Sequence, residues 1–275
     1  NDSGQLTVTP VETGADLVGY SGWSTSAYLQ QKYNNSAFNL GNGGITIAFW
    51  VKTSNIDQGE GYIFDHAPSN ASGKRFAVYY NSGKIYFYTT NGSGNSQITT
   101  PNNGSVGNPP GLSNSMDNVW HQVIITREPS GNNASCAHRM YVNGILRAES
   151  SLPNRDITNS SARMTIGIRC SADQSAFTGN IALLRISQDP ASQAQVHKMW
   201  LREKQLFTEN AKCLLSAEDS DRVFQMAYDT STGSLHATNE TGRDEFRGLV
   251  RLNNEGGQGQ TSVGISASGG LIAAE

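Results

Sequence analysis

The stretch Ile45-Thr46-Ile47-Ala48-Phe49-Trp50-Val51-Lys52 decides the fold. Ile45, Ile47, Phe49 and Val51 share one face of an extended strand, while Ala48 and Trp50 keep the other face partly apolar. A strand that is apolar on both sides belongs in the middle of a sheet with material packed on each face.

Outward from this strand the same period of two recurs as far as residue 188, interrupted by Gly/Asn/Ser stretches. Arg75 to Tyr80 and Lys84 to Thr90 flank Asn81-Ser82-Gly83 and read as a hairpin. Arg139 to Val142 and Ile145 to Ala148 flank Asn143-Gly144, a dipeptide that tolerates the two positive φ angles of a type I′ turn. Trp120 to Arg127 is a further strand. In the next one Met164, Ile166, Ile168 and Cys170 line one face, and Gly179 to Ser187 follows. Gly92 to Ser115 carries no periodicity and is expected to be one long exposed loop.

The period then changes. Asp189 is the expected cap, with Pro190 at the first position, of an amphipathic helix of about four turns that carries Val196, Met199, Trp200 and Leu206. The fold expected is therefore all-β, an antiparallel β-sandwich with one helix on its C-terminal side, over residues 1–207. Residues 208–275 read as a small β appendage, with a hairpin at Val223 to Tyr228 and Leu235 to Thr238 and a glycine-rich tail. A lone hairpin is marginal in water, so this segment is expected to dock, on the sandwich or on another chain.

Composition narrows the function. The 20 basic and 23 acidic side chains leave a net charge of −3, with no basic footprint for a phosphate backbone. Runs such as Val123-Ile124-Ile125 are far short of the roughly 20 apolar residues that span a bilayer, so nucleic-acid binding and membrane insertion are not expected. The chain opens at Asn1 without a basic n-region or an apolar h-region, which suggests a processed start or a piece of a longer protein. Cys136, Cys170 and Cys213 form no C-x-x-C pair, and are read as buried thiols or as a Cys136 to Cys170 disulfide with one thiol over.

Catalytic patterns are lacking. The five histidines include neither H-x-H nor H-E-x-x-H, so zinc has no support. Gly264 to Gly269 misses the G-x-S-x-G elbow by one residue, and Gly73-Lys74 has Pro68 where a phosphate-binding loop needs glycine. A glycosidase would need two facing carboxylates, and no strand carries acids at alternate positions. No catalytic residue is assigned. Tyr79, Tyr80, Tyr86 and Tyr88 are able to stack on sugars and are equally ordinary on a sheet surface.

Taken in order, Ile45 to Ser54, Asp117 to Arg127 with its Trp120-His121 pair, Met140 to Ile145, Met164 to Ile168 and Gly179 to Ile186 resemble the laminin-G-like members of the concanavalin A-like lectin/glucanase superfamily, over about residues 15 to 206. The resemblance implies a jelly roll that binds glycans or proteins through loops at one rim, often around calcium. It implies calcium ligands at Asp117, three residues before Trp120, and at Asp173, although Asp117 as a simple turn cap serves equally well. Ala182 and Asn143 stand where relatives often carry acids. Residues 222–252 resemble segments of tailed-phage structural proteins. Together these imply a non-enzymatic virion surface protein, a capsid decoration or a tail fibre, that contacts other virion proteins, copies of itself or a host-surface glycan. A secreted or cell-surface polysaccharide-binding adhesin is the alternative, and a glycan hydrolase comes after it.

Overall fold

The computed structural model describes residues 5–31, 38, 40–55, 57–68, 73–101, 118–170, 175–209, 211, 225–238, 242–247, 250–256, 265–268 and 271–274. Along the chain these form β1 (Thr7–Pro10), β2 (Val18–Ser21), β3 (Leu29–Gln30), β4 (Ile45–Lys52), β5 (Gly61–Ala67), β6 (Lys74–Asn81), β7 (Lys84–Asn91), β8 (Asn95–Thr99), β9 (His121–Pro129), β10 (Ser135–Val142), β11 (Ile145–Pro153), β12 (Arg163–Ile166) and β13 (Asn180–Ser187). The helix α1 (Gln193–Glu203) and a short 3-10 turn (Lys204–Phe207) come next, then β14 (Gln225–Asp229), β15 (Ser234–Thr238), β16 (Gly242–Arg247), β17 (Val250–Gly256), β18 (Ile265–Ser268) and β19 (Leu271–Ala274). The chain divides into two compact units, residues 1–9 with 19–201, and residues 10–18 with 202–275.

The first unit is an antiparallel sandwich. A seven-stranded sheet runs β1-β2-β13-β4-β9-β10-β11 and a six-stranded sheet runs β3-β12-β5-β6-β7-β8. β4 is central, as its two apolar faces require. Its Ile45, Ile47, Phe49 and Val51 meet Phe76, Val78 and Tyr80 of β6 and Ile85 and Phe87 of β7 in one fully enclosed core. Each such side chain contributes about 1.5–3 kcal/mol relative to an exposed one.

The other face of the seven-stranded sheet carries a second apolar layer, Ala48, Ile124, Tyr141 and Val196 of α1, with Met199 against it. Trp50 belongs to this layer: it is buried under the helix, outside the core between the sheets. Trp120 is also buried, and a Cβ at Gly19 would stand 2.8 Å from its ring.

The β10–β11 turn forms as expected, with φ of 52° at Asn143 and 76° at Gly144. Asn143 accepts the Gln122 N–H at 3.0 Å through Oδ1, and its Nδ2 donates to His121 Nδ1 at 2.9 Å.

Other expectations are corrected. Part of the long loop is a strand, since β8 pairs with β7 from Thr90↔Asn95 to Tyr86↔Thr99; residues 102–117 lie outside the described residues. The strand expected to run to Cys170 ends at Ile166, because Gly167 turns to φ +85° where a Cβ would come within 2.0 Å of the Trp23 ring. Helix α1 starts after Asp189-Pro190. Thr46 Oγ1 donates to the Asp189 carbonyl at 2.6 Å and accepts the Ala191 N–H at 2.7 Å, while Ser192 and Gln195 form the reciprocal cap. Cys136 and Cys170 are free, buried thiols, and Cys213 lies outside the described residues.

In the second unit the expected hairpin, β14 with β15, is half of a four-stranded sheet ordered β14-β15-β16-β17. β18 and β19 pair separately. Met226 and Tyr228, on the edge strand β14, are among the most exposed large apolar side chains, at 65% and 62%.

Candidate ligand-binding face

The site grows out of the register of three neighbouring strands. Alternation along β6 and β7 sends Phe76, Val78, Tyr80, Ile85 and Phe87 into the core and leaves Arg75, Ala77, Tyr79, Tyr86 and Tyr88 on the outward face. Pairing then aligns Tyr62 with Tyr79 and Tyr79 with Tyr86, and in the next row Asp65 with Ala77 and Ala77 with Tyr88. Adjacent strands therefore bring together tyrosines that are far apart in sequence.

The first row is a ladder of stacked rings. Tyr62 and Tyr79 lie 5.2 Å apart at 29°, and Tyr79 and Tyr86 lie 4.8 Å apart at 1°. Neighbouring rings cover one another's faces, so the ladder offers ring edges and hydroxyls outward. Tyr62 is buried, while Tyr79, Tyr86 and Tyr88 are half-buried. Burial raises the Tyr62 phenol above its usual range and pushes Tyr79 up to about 12, so both remain neutral donors and acceptors at physiological pH.

The small Ala77 side chain leaves room for Arg75. Its Nε donates to Asp65 Oδ1 at 2.7 Å and its Nη2 to Asp65 Oδ2 at 2.9 Å, a bidentate pair out of solvent. Asp65 also accepts the Cys170 N–H at 2.9 Å. Burial works against the Arg75 charge, but Asp65 outweighs it and holds the guanidinium above its ordinary range. The same guanidinium lies 5.2 Å from the Tyr62 ring centre and 5.9 Å from that of Tyr88. Arg169 sits 5.8 Å from the Tyr62 ring, with Glu60 4.0 Å from its Nη1. One end of the ladder is thus closed by cations, and at the other end Thr99 of the edge strand β8 stands in register beside Tyr86.

Of the residues singled out by sequence, Tyr79, Tyr86 and Tyr88 come together here and Tyr80 does not, being enclosed in the core. Asp117 and Asp173 lie outside the described residues. Among the described residues no group of three or more His, Cys, Asp or Glu side chains is arranged to hold a metal. Sequence reasoning missed Tyr62, Asp65, Arg75 and Arg169, whose relation exists only across strands. Trp50 and Trp120 are buried and offer no platform.

Comparison with known proteins bears on the fold. The sequence model of a laminin G family, described as the concanavalin A-like lectin/glucanases superfamily, matches residues 24–197. Among solved structures, the chain is similar to the binding domain of Paraclostridial Mosquitocidal Protein 1, at TM-score 0.52 and 15% identity over 98% of this chain and 66% of that one. It is also similar to the botulinum neurotoxin serotype D binding domain, at TM-score 0.51 and 15% identity over 89% and 55%. The serotype G binding domain gives TM-score 0.50 and 15% identity over 98% and 66%. The chain thus spans less than two thirds of each of these structures. No curated protein matches the chain. With its two antiparallel sheets, its central β4 and a family match that covers more than half its length, the chain belongs to the laminin-G-like branch of the concanavalin A-like lectin/glucanase superfamily.

Proposed function

We propose that the chain is a non-enzymatic binding module that holds a glycan across the Tyr79, Tyr86 and Tyr88 face. The observation that carries this reading is the half-buried tyrosine ladder, pre-organised by stacking and fixed at one end by the Arg75–Asp65 pair. Neutral phenols suit a hydroxyl-rich ligand because each both donates and accepts, and rigid aromatic groups lose little entropy on binding. The similar toxin structures are themselves named binding domains, in keeping with this role. Electrophoresis through gels containing neutral and acidic polysaccharides tests it: retardation by one class that is lost in Tyr79→Ala and Tyr86→Ala supports the face, and equal retardation of wild type and variants removes it.

The module belongs, in this reading, on the surface of a tailed-phage particle, as a decoration or tail-fibre protein. Support comes from the resemblance of residues 222–252 to phage structural segments and from Met226 and Tyr228 on the edge strand β14, which suit docking to another virion protein. Mass spectrometry of purified particles would place the chain in the virion, whereas recovery from the bacterial surface would favour an adhesin. Calcium at Asp117 and Asp173 completes the proposal.

A further inference from the structure

The tyrosine face continues onto the edge strand β8. Register sets Thr99 beside Tyr86, Gln97 beside Tyr88 and Asn95 beside Thr90. Ile98 belongs to the core and Ser96 is buried, so alternation leaves Asn95, Gln97 and Thr99 on the outward side with the rings. The Thr99 hydroxyl is spent on the carbonyls of Ile85 at 3.1 Å and Thr100 at 3.2 Å, and that of Thr90 on the Gly94 carbonyl at 2.9 Å. Asn95 and Gln97 are exposed, and among the described residues neither side-chain amide makes a hydrogen bond. The part of the face open to solvent therefore carries the phenols of Tyr79, Tyr86 and Tyr88 beside two free carboxamides.

The ions next to this patch are largely satisfied. Arg75 is spent on Asp65, and both are buried. Arg169, beyond Tyr62, has Glu60 4.0 Å from its Nη1, and the carboxylate is the more exposed of the two, at 41% against 32%. An anionic chain would have to displace Asp65 or Glu60 from its guanidinium, and would meet an exposed carboxylate as it approached. The Glu60 charge also raises the phenols of Tyr62 and Tyr79, so its field reaches the ladder. Lys84 lies on the same side of β7, two residues before Tyr86, with no carboxylate in ion-pair distance among the described residues. A single flexible ammonium in solvent contributes little by itself.

We propose that the ligand of this face is a neutral polysaccharide, and that Gln97 is a specificity-determining residue whose carboxamide pairs with sugar hydroxyls beside Tyr88. The inference rests on the glycan reading of the face and names the class within it. Phenols and carboxamides both donate and accept, as sugar hydroxyls do, whereas a carboxylate or sulfate calls for unspent cations or clustered N–H donors.

The experiment is biolayer interferometry of the full chain on immobilised galactomannan and dextran, as neutral probes, and on alginate and hyaluronan, as acidic ones, at low and at high sodium chloride. Expected is binding to a neutral polymer that salt leaves unchanged and that Tyr79→Ala removes. Gln97→Ala should weaken it by about two- to tenfold without altering the melting temperature, and Lys84→Gln should leave it as it is. Binding to the acidic polymers alone, lost in Tyr79→Ala, in Lys84→Gln and in high salt, overturns the neutral class and leaves the face as the glycan site. Neutral binding that Gln97→Ala does not weaken overturns the role of Gln97. Binding to none of the four polymers, or binding unchanged in Tyr79→Ala, overturns the glycan reading and this inference with it.

Discussion

The indole of Trp50 on β4 stacks on that of Trp200 on α1, with ring centres 5.4 Å apart and planes at 26°. This contact seats the helix on the outer face of the seven-stranded sheet. Gly144 serves the same seat, because a Cβ there would approach Trp200 to 2.9 Å. The turn that most plainly announced itself in the sequence is therefore also part of the helix contact.

Replacing Trp50 by Ala is expected to cost about 3–5 kcal/mol, as for other enclosed aromatic residues, and Trp120→Ala a similar amount. Trp200→Ala should cost less, since Trp200 is only half-buried. A double-mutant cycle on Trp50 and Trp200 should give a coupling of about 0.5–1.5 kcal/mol. Urea unfolding measures all four, and a coupling of zero would mean that the stacked rings act independently.

Acid should weaken the sandwich in a defined window. His66 and His138 are enclosed, and burial lowers both to about 4 against 6.5 in the unfolded chain. The unfolded chain then takes up protons first, so stability is complete above pH 6.5 and falls as pH drops towards 4, by about 3 kcal/mol per histidine at full effect. Asp156, held down to about 2 chiefly by its hydrogen bond from Lys74, adds a loss only below pH 3.8. Unfolding midpoints at pH 7, 5 and 4 follow the first window, and His66→Gln should flatten its slope by one proton.

On the outer face, Tyr79→Ala and Tyr86→Ala should leave a folded protein, because both rings are half-exposed. The loss in stacking is about 0.5–1.5 kcal/mol per pair. Glycan retention should fall at least tenfold, equivalent to about 1.4 kcal/mol. Tyr80→Ala should do the reverse, unfolding the core without identifying a ligand contact. Circular dichroism and affinity electrophoresis on the three variants separate the two effects.

Gly167→Ala tests a position where backbone and packing agree. Left-handed strain at φ +85° costs about 1–3 kcal/mol, and the added methyl must also displace Trp23. The melting temperature should drop and the Trp23 fluorescence should shift, whereas an unchanged spectrum would show that Trp23 yields freely.

Calcium is expected to raise the melting temperature of the wild type, and Asp117→Ala to remove the increment. Calorimetric titration showing neither heat nor stabilisation at millimolar calcium would dismiss the site.

The legible parts of the fold were those in which burial writes a pattern. β4, β6, β7, β9 and β10 alternate or run apolar because they face the core, and Asn143-Gly144 marks its own turn. β8 reads Asn-Ser-Gln-Ile-Thr, and its inward Ser96 spends its hydroxyl on the Pro153 carbonyl, so only Ile98 signals a strand. β16 and β17 are equally polar in sequence and were hidden for the same reason. The helix start went astray because Pro190 is a good first residue in general, while here Thr46 ties the segment around it to β4.

The binding face was half legible. Adjacent Tyr79 and Tyr80 must point to opposite sides, and the inward set Phe76, Val78 identifies Tyr80 as the buried one. Tyr62, Asp65 and Arg169 left no such trace. The contacts of Tyr62 and Asp65 with Arg75, and of Arg169 with Tyr62, depend on which segments lie side by side, and a register shift between Tyr62 and Phe64 interrupts even the local alternation.

The ladder also acts as a ruler. Its rungs lie 5.2 and 4.8 Å apart because neighbouring strands are spaced at about 4.7–4.9 Å, a length fixed by backbone hydrogen bonds and not by the side chains. If the proposed ligand is a polymer laid across the strands, it meets a half-buried phenol at Tyr79 and again at Tyr86 when its monomer repeat matches that spacing. A polymer out of step engages one rung and misses the next. On that reading the sheet sets the period, and exchanging one tyrosine for another aromatic residue would change the grip without changing the scale.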